Sequence, residues 1–257
     1  MQNLFDQVIF GPIHSRRLGL SLGVNLLPVD AKICSFNCIY CECGFNTTMQ
    51  EFNFPTRSEV REILARKLGE MVEAGEIPNV ITFAGNGEPT LHPDFEGIID
   101  DTITLRNELC PTAKVSVLSN STRIHKPHIF SALKKVDNNI LKFDSAIDRT
   151  MKLMDQPVGK QIDVAWLVNQ LQKFEGNLII QTMFLRGEYQ GERIDNTTDT
   201  EINAWIDALQ KIQPKQVMIY SLDRTTPVQQ LEKVSVEELK QIAEKVKSAG
   251  FEVSVAG

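Results

Sequence analysis

The chain has 257 residues, enough for one large α/β domain with a proper core, and its 42% hydrophobic share is ordinary for a soluble globular protein. A formal net charge of −6 argues against a dedicated nucleic-acid binder, which usually shows a basic footprint. No apolar run approaches the roughly eighteen residues of a membrane span, and Met1–Phe10 carries Asp6 and no basic flank, so neither membrane anchoring nor export is expected and the cytoplasm is the default compartment.

Taken in chain order, the pattern alternates. Residues 21–27 read as a first strand, and a cysteine-rich loop follows directly. Residues 58–74 have helical spacing, with Ser58 as the expected N-cap. A β-branched strand is expected over 79–84 and a helix over 93–109, with Pro93 suiting its first turn. A strand over 114–118 and a helix over 126–136 come next. The strand over 139–144 is followed by helical stretches from Asp148 and from Lys160. Then come a strand over 177–185, a helix over 199–212, a strand over 216–222 and a helix over 235–249. Residues 251–255 add a short final strand. The polar stretch 186–198 reads as a mobile loop. About six βα units imply a parallel sheet with helices outside, either a doubly wound open sheet or a barrel.

The unusual polar clusters all follow strands. Gly85–Thr90 follows the second, Ser119–Thr122 the third and Asp144–Ser145 the fourth, while Arg186 and Asp223–Arg224 follow the fifth and sixth. In parallel α/β folds strand C-termini share one face, and function collects there. Alternation puts Lys142 and Asp144 on one face of the fourth strand and Gln181 and Met183 on one face of the fifth. A dry interior would not accept Lys142 and Gln181, whereas a partly open, polar-lined barrel would.

Four of the five cysteines lie between positions 34 and 43. An odd, clustered set in a chain without an export signal argues for metal binding over disulfides. Cys34, Cys38 and Cys41, spaced CysXXXCysXXCys, can hold three irons of a cubane cluster and leave the fourth open for a ligand that is not protein. The competing reading is a structural zinc site with Cys43 as fourth ligand. Cys110 reads as a buried hydrophobe. Ser15-Arg16-Arg17 is a solvated basic patch, a carboxylate salt bridge, or an anion or substrate clamp near the barrel mouth. Lys142, Gln181 and Arg186 are further substrate candidates, with a structural Lys142–Asp144 pair as the alternative for Lys142 and a solvated patch or carboxylate salt bridge as the alternative for Arg186.

CysXXXCysXXCys with Tyr40 before the last cysteine, followed after the next strand by Asn86-Gly87-Glu88-Pro89, resembles the radical S-adenosylmethionine (SAM) superfamily. Phe10-Gly11-Pro12, Ser15–Gly19 and Ser21-Leu22-Gly23 resemble a subgroup that includes wyosine-type tRNA-base synthases and uncharacterised relatives. The resemblance implies a single core domain over 1–257, with an N-terminal extension of about twenty residues, folded as a partial parallel (β/α)6 barrel. It implies that Cys34, Cys38 and Cys41 ligate a [4Fe–4S] cluster and that SAM chelates the open iron. Gly87, Glu88 and Pro89 would orient the methionine ammonium, with Asn86 replacing the family's first glycine. Tyr40 would pack near the adenine, and Ser119, Asn120 and Asp144 would contact ribose and carboxylate. An external electron donor of flavodoxin or ferredoxin type is implied as a partner, with an unidentified substrate.

The expected activity is reductive SAM cleavage acting on a small molecule or nucleoside. The alternatives are tRNA-base modification or modification of a partner protein. The tRNA reading is the lesser one, because no cysteine for a second cluster precedes Cys34 and the chain is acidic. The non-enzyme alternatives are a zinc-stapled binding module and a redox carrier using the cluster alone, and neither explains Gly87-Glu88-Pro89.

Overall fold

The computed structural model describes residues 3–15, 19–48, 52–159 and 162–256. Its main sheet has eight strands in the order β1-β2-β3-β4-β5-β6-β9-β11. They are β1 (Ile9–Ser15), β2 (Gly19–Val24), β3 (Val80–Phe83), β4 (Lys114–Ser119), β5 (Asn138–Lys142), β6 (Ile179–Met183), β9 (Gln216–Tyr220) and β11 (Val253–Ala256). Only β1 runs antiparallel, against β2; every other pairing is parallel. Among the described residues, seven helices connect or follow the strands: α1 (Arg57–Glu73), α2 (Phe95–Leu109), α3 (Pro127–Lys135), α4 (Asp148–Asp155), α5 (Val164–Gln172), α6 (Asp199–Ile212) and α7 (Val236–Ser248). The parallel sheet curls into a half-barrel, as expected of a partial (β/α) barrel.

Alternation sorts the strands into two faces. Outward residues such as Leu22, Phe83, Val117, Leu141, Ile180 and Val217 are fully buried under the helices in one continuous core. Phe83 meets Phe95 of α2 edge-on at 6.4 Å, and truncating such a buried ring costs about 3–5 kcal/mol. Inward residues are mixed: Ser21 and Thr82 share a hydrogen bond of 2.9 Å, and Ile140, Ile179 and Met218 form a small apolar cluster.

Several boundaries differ from the sequence expectation, each for a local reason. The first parallel strand ends at Val24 because the Asn25 side chain turns back on Leu27, donating to its carbonyl at 2.9 Å and accepting from its amide at 3.2 Å. The cap of α1 is Thr56, not Ser58: its hydroxyl accepts from the Glu59 amide while Glu59 accepts from the Thr56 amide, a reciprocal capping box. Pro89–Leu91 forms a short 3-10 turn, so α2 starts at Phe95. His92 prepares that start, its Nδ1 accepting from the Asp94 amide at 3.0 Å and its Nε2 lying 2.7 Å from the Pro55 carbonyl.

The stretch after β6 is a hairpin rather than a mobile loop. β7 (Leu185–Tyr189) and β8 (Glu192–Asp195) join through Gln190 and Gly191, both at positive φ, and β10 (Leu231–Lys233) completes a three-stranded antiparallel sheet. Left-handed residues at both turn positions match the twist of a two-residue hairpin. Asn196 fixes the sheet to the barrel: its amide nitrogen donates to the Asp144 and Met183 carbonyls and its oxygen accepts from the Leu185 amide.

The segment before the first parallel strand adds an antiparallel edge strand, and Phe5 and Phe10 cover part of the lumen. Phe5 and Phe10 stack at 3.9 Å, and a Cβ on Gly23 would fall 2.2 Å from the Phe10 ring. Among the described residues no helix is long and apolar enough to cross a membrane.

Candidate active site

The cysteine loop is built against the C-terminal ends of the strands by backbone pairing on two sides. On one side, the Ile33 amide donates to Asn86 and the Glu88 amide donates to Ile33. This is a single parallel bridge between Ile33 and Gly87. On the other, the Asn37 and Ile39 amides donate to the Asp155 and Met154 carbonyls at the end of α4. Lys32 and Thr47 close the base of the loop by two bonds of 3.0 Å. Asn46 crosses its interior, donating to the carbonyls of Cys34 and Phe36. A second apolar cluster packs Phe36, Ile39 and Tyr40 against Met183, Ile194 and Val228, so the hairpin sheet buttresses the loop.

This loop forms one wall of a cavity of about 280 Å3. Cys34, Cys38, Tyr40 and Cys41 line it, with Gly87 and Glu88, Ser119 and Asn120, and, from the barrel interior, Lys142, Gln181 and Tyr220. A second, smaller cavity of about 120 Å3 lies deeper in the lumen, bounded by Phe5, Phe10, Ile140 and Met218 and sharing Leu118 and Gln181 with the first.

Glu88 ties three segments together. Its Oε1 accepts from the Thr90 amide, the Thr90 hydroxyl and the Ser119 hydroxyl, and its Oε2 accepts from the Asn120 amide at 2.6 Å. Burial raises its pKa, against the lowering by those donors. Asn120 in turn donates to Cys34 Sγ at 3.3 Å and to Ser35 Oγ at 2.9 Å.

A buried polar network stands opposite. Lys142 Nζ donates to the Tyr40 hydroxyl at 2.6 Å and lies 3.3 Å from Asp144. The Tyr40 hydroxyl meets both Asp144 and, at 3.1 Å, Asp155, which Cys38 Sγ approaches at 3.5 Å. Asp144 also accepts from the Met183 amide at 2.9 Å. Burial, then the neighbouring Asp144 carboxylate, push Asp155 well above the carboxylate range. Burial alone would lower Lys142, but Asp144, Tyr220, Cys38 and Asp155 outweigh it and the ammonium is held well above its usual value.

The cysteines are all free thiols. Burial, then Glu88, push Cys34 up to about 12, and burial, then Asp155, push Cys38 up. Cys41 is lowered to about 5, first by the hydrogen bond from Cys43 and then, against burial, by Lys32.

The structure therefore brings together Cys34, Cys38, Cys41, Tyr40, Gly87, Glu88, Ser119, Asn120, Lys142 and Gln181 on one cavity. Asp144 supports that wall through Tyr40 and Lys142, so the structural pair weighed for Lys142 is present. Pro89 starts the 3-10 turn behind Glu88. Asn86 points away: its side chain bonds both backbone groups of Phe5 and the Pro28 carbonyl, anchoring the N-terminal segment. Arg186, read as a substrate clamp, instead pairs with Glu238 and Asp195 and donates to Thr197, which secures the hairpin. Arg16 and Arg17 lie outside the described residues. Lys32, Asn46, Asp155 and Asn196 escaped sequence reading, because nothing in the local pattern separates them from ordinary loop and helix-end residues.

The sequence model of the radical SAM superfamily matches residues 29–196. The chain belongs to that superfamily. It is 31% identical, over 91% of its length, to a Brachyspira hyodysenteriae protein named GTPase Obg, and spans about a third (32%) of that protein. It is 30% identical over 84% of its length to a UPF0026 protein of Helicobacter pylori strain J99, covering 67% of it. Among solved structures, a radical SAM methyltransferase from Sphaerobacter thermophilus superposes with a TM-score of 0.68 at 14% identity, covering 92% of this chain and 65% of that one. TYW1 with a lysine-pyruvate adduct superposes at 0.62 and 16% identity, covering 89% and 73%. Both share the fold.

The superfamily's cofactors are a [4Fe–4S] cluster and SAM, and the residues fit them. A cubane binds each thiolate at its own iron, so three cysteines on one loop wall suffice, and among the described residues no three His, Cys, Asp or Glu side chains converge on a single-ion site. Gly87, at φ +135°, lets the chain pass where a Cβ would lie 1.8 Å from the Ile33 carbonyl oxygen, which keeps the cavity wall beside the cysteines thin and open.

Proposed function

We propose that the chain performs reductive cleavage of SAM at this cavity and uses the resulting radical on a substrate held in the barrel lumen. The observation that carries the reading is the placement of Cys34, Cys38 and Cys41 on one wall of a cavity whose other walls are the Gly87-Glu88 segment and the barrel interior. Held by Cys34, Cys38 and Cys41, the cluster would supply the one-electron reduction that splits SAM into methionine and a carbon radical able to take a hydrogen atom from substrate.

In this reading Cys34, Cys38 and Cys41 are the cluster ligands. Glu88 shapes the SAM site by fixing Ser119 and Asn120 and leaves Oε2 with a single protein donor among the described residues. Tyr40 presents its ring to the cavity while Asp144, Asp155 and Lys142 hold its hydroxyl. An external donor of flavodoxin or ferredoxin type would supply the electron, and Arg224–Glu42 at the cavity rim is where it would approach.

The lumen supports a small substrate with a neutral polar group. Gln181 is 7% exposed, and its side-chain amide has no hydrogen-bond partner among the described residues, although it borders both cavities. A buried amide is satisfied by whatever binds there. Among the described residues no ionisable side chain lines the deeper cavity, which favours a neutral group there. The test is anaerobic reconstitution followed by electron paramagnetic resonance of the reduced cluster with and without SAM. A SAM-dependent change of the spectrum, absent from Cys38→Ala, supports SAM binding at the open iron. An unchanged spectrum contradicts it. Neutral small molecules that stimulate 5′-deoxyadenosine formation in wild type should fail to do so in Gln181→Leu.

A further inference from the structure

Lys32 is the buried cation that the account of SAM cleavage leaves unused. It is 1% exposed, among the largest fully buried side chains in the molecule, and it lines the cavity beside Cys34, Cys38 and Cys41. Its Nζ donates to one neutral acceptor, the Gly44 carbonyl, at 2.6 Å. An ammonium has three protons to donate, and among the described residues Lys32 forms no ion pair. The contrast with Lys142 is direct: that second buried lysine has Asp144 at 3.3 Å. A buried charge without a carboxylate partner is disfavoured unless other negative groups beside it, here the cysteine sulfurs, supply the countercharge. The Lys32 backbone is pinned at the loop base by Thr47 on both sides, so the charge cannot swing out to solvent without opening the loop.

We propose that Lys32 is the fixed countercharge of the iron–sulfur cluster, a positioning residue that holds the reduction potential up to where an external donor can reach it. The inference rests on Cys34, Cys38 and Cys41 being the ligands. The thiolates bring negative charge to the site, and the incoming electron makes it more negative. A buried cation beside them stabilises the reduced state more than the oxidised one, and low local polarisability makes that difference large. Solvent exposure and net charge near a cluster are the levers that set its potential, and Lys32 adds a fixed positive charge to that balance.

Lys32→Gln tests this, because the glutamine amide keeps a donor for the Gly44 carbonyl and removes only the charge. The readout is the midpoint potential of the reconstituted cluster, titrated anaerobically without SAM and followed by electron paramagnetic resonance. At four irons per chain, the Gln variant should be harder to reduce by at least about tenfold in equilibrium constant, ~59 mV toward negative potential for one electron. Lys32→Arg should stay nearer wild type. An unchanged potential in Lys32→Gln overturns the proposal, and so does an unchanged potential coupled to loss of SAM affinity, which would make Lys32 a ligand of the SAM carboxylate. If Lys32→Gln fails to hold iron while Lys32→Arg holds it, the charge is needed already for assembly, which supports the proposal. Loss of iron from both overturns it. Cys38→Ala, run in parallel, isolates the ligand assignment: iron retained at four per chain there sinks the reading underneath and not the role of the charge.

Discussion

An alanine Cβ at position 87 would sit 1.8 Å from the Ile33 carbonyl oxygen, with the backbone at φ +135° where side chains are disfavoured. Gly87→Ala is therefore expected to push the cysteine loop off the strand ends, lowering stability by about 2 kcal/mol or more. Iron content after reconstitution should fall below four, and a variant that still binds four irons at wild-type stability would contradict the stitching of these two loops. Tyr40→Phe removes the hydroxyl shared by Lys142, Asp144 and Asp155, and should cost about 1–3 kcal/mol in urea unfolding of the iron-free protein. His92 gives a pH signature. Burial lowers its pKa, and its Nδ1 must stay unprotonated to accept from the Asp94 amide. A depressed folded pKa means that its stabilisation is present above the unfolded value of about 6.5 and is lost as pH falls through the lower folded value. The stability gap between wild type and His92→Gln should narrow from pH 7 toward pH 5, and a constant gap would show that His92 does not titrate in this way.

At the level of elements, the cysteine loop was readable because ligand spacing is a local property: Cys34, Cys38 and Cys41 need only one loop to meet one cluster. The strands were readable for the same reason, since Leu141 and Phe143 alternate with Lys142 across a pleat. What the pattern did not carry is set by long-range partners. Asn86 looks like a drifted copy of a cofactor-binding glycine, yet its side chain is bound 81 residues away by Phe5. Arg186 looks like a mouth arginine, yet Glu238 from α7 takes it. The hairpin β7–β8 hid in a polar stretch because only Leu185 and Ile194 of its strand residues are buried. These assignments make a prediction of their own: Asn86→Gly should release the N-terminal segment, so that amide hydrogen exchange accelerates over residues 3–10 while iron content stays at four. Unchanged exchange there would show that Phe5 and Phe10 hold the segment without Asn86.

Across the whole molecule, the half-barrel explains why so many polar side chains share one place. Parallel strands deliver Glu88, Ser119, Lys142, Gln181 and Tyr220 to one end, and the cysteine loop, α4 and the hairpin sheet close over it. The interior below is apolar and partly covered by Phe5 and Phe10, which would shield a reactive carbon radical from solvent. The most direct measurement is 5′-deoxyadenosine formation by the anaerobically reconstituted protein with dithionite and SAM, followed by mass spectrometry beside Cys38→Ala. The account predicts one methionine per 5′-deoxyadenosine from wild type and none from the variant. A cluster of four irons that leaves SAM intact in wild type, with and without a neutral-metabolite fraction, would contradict it.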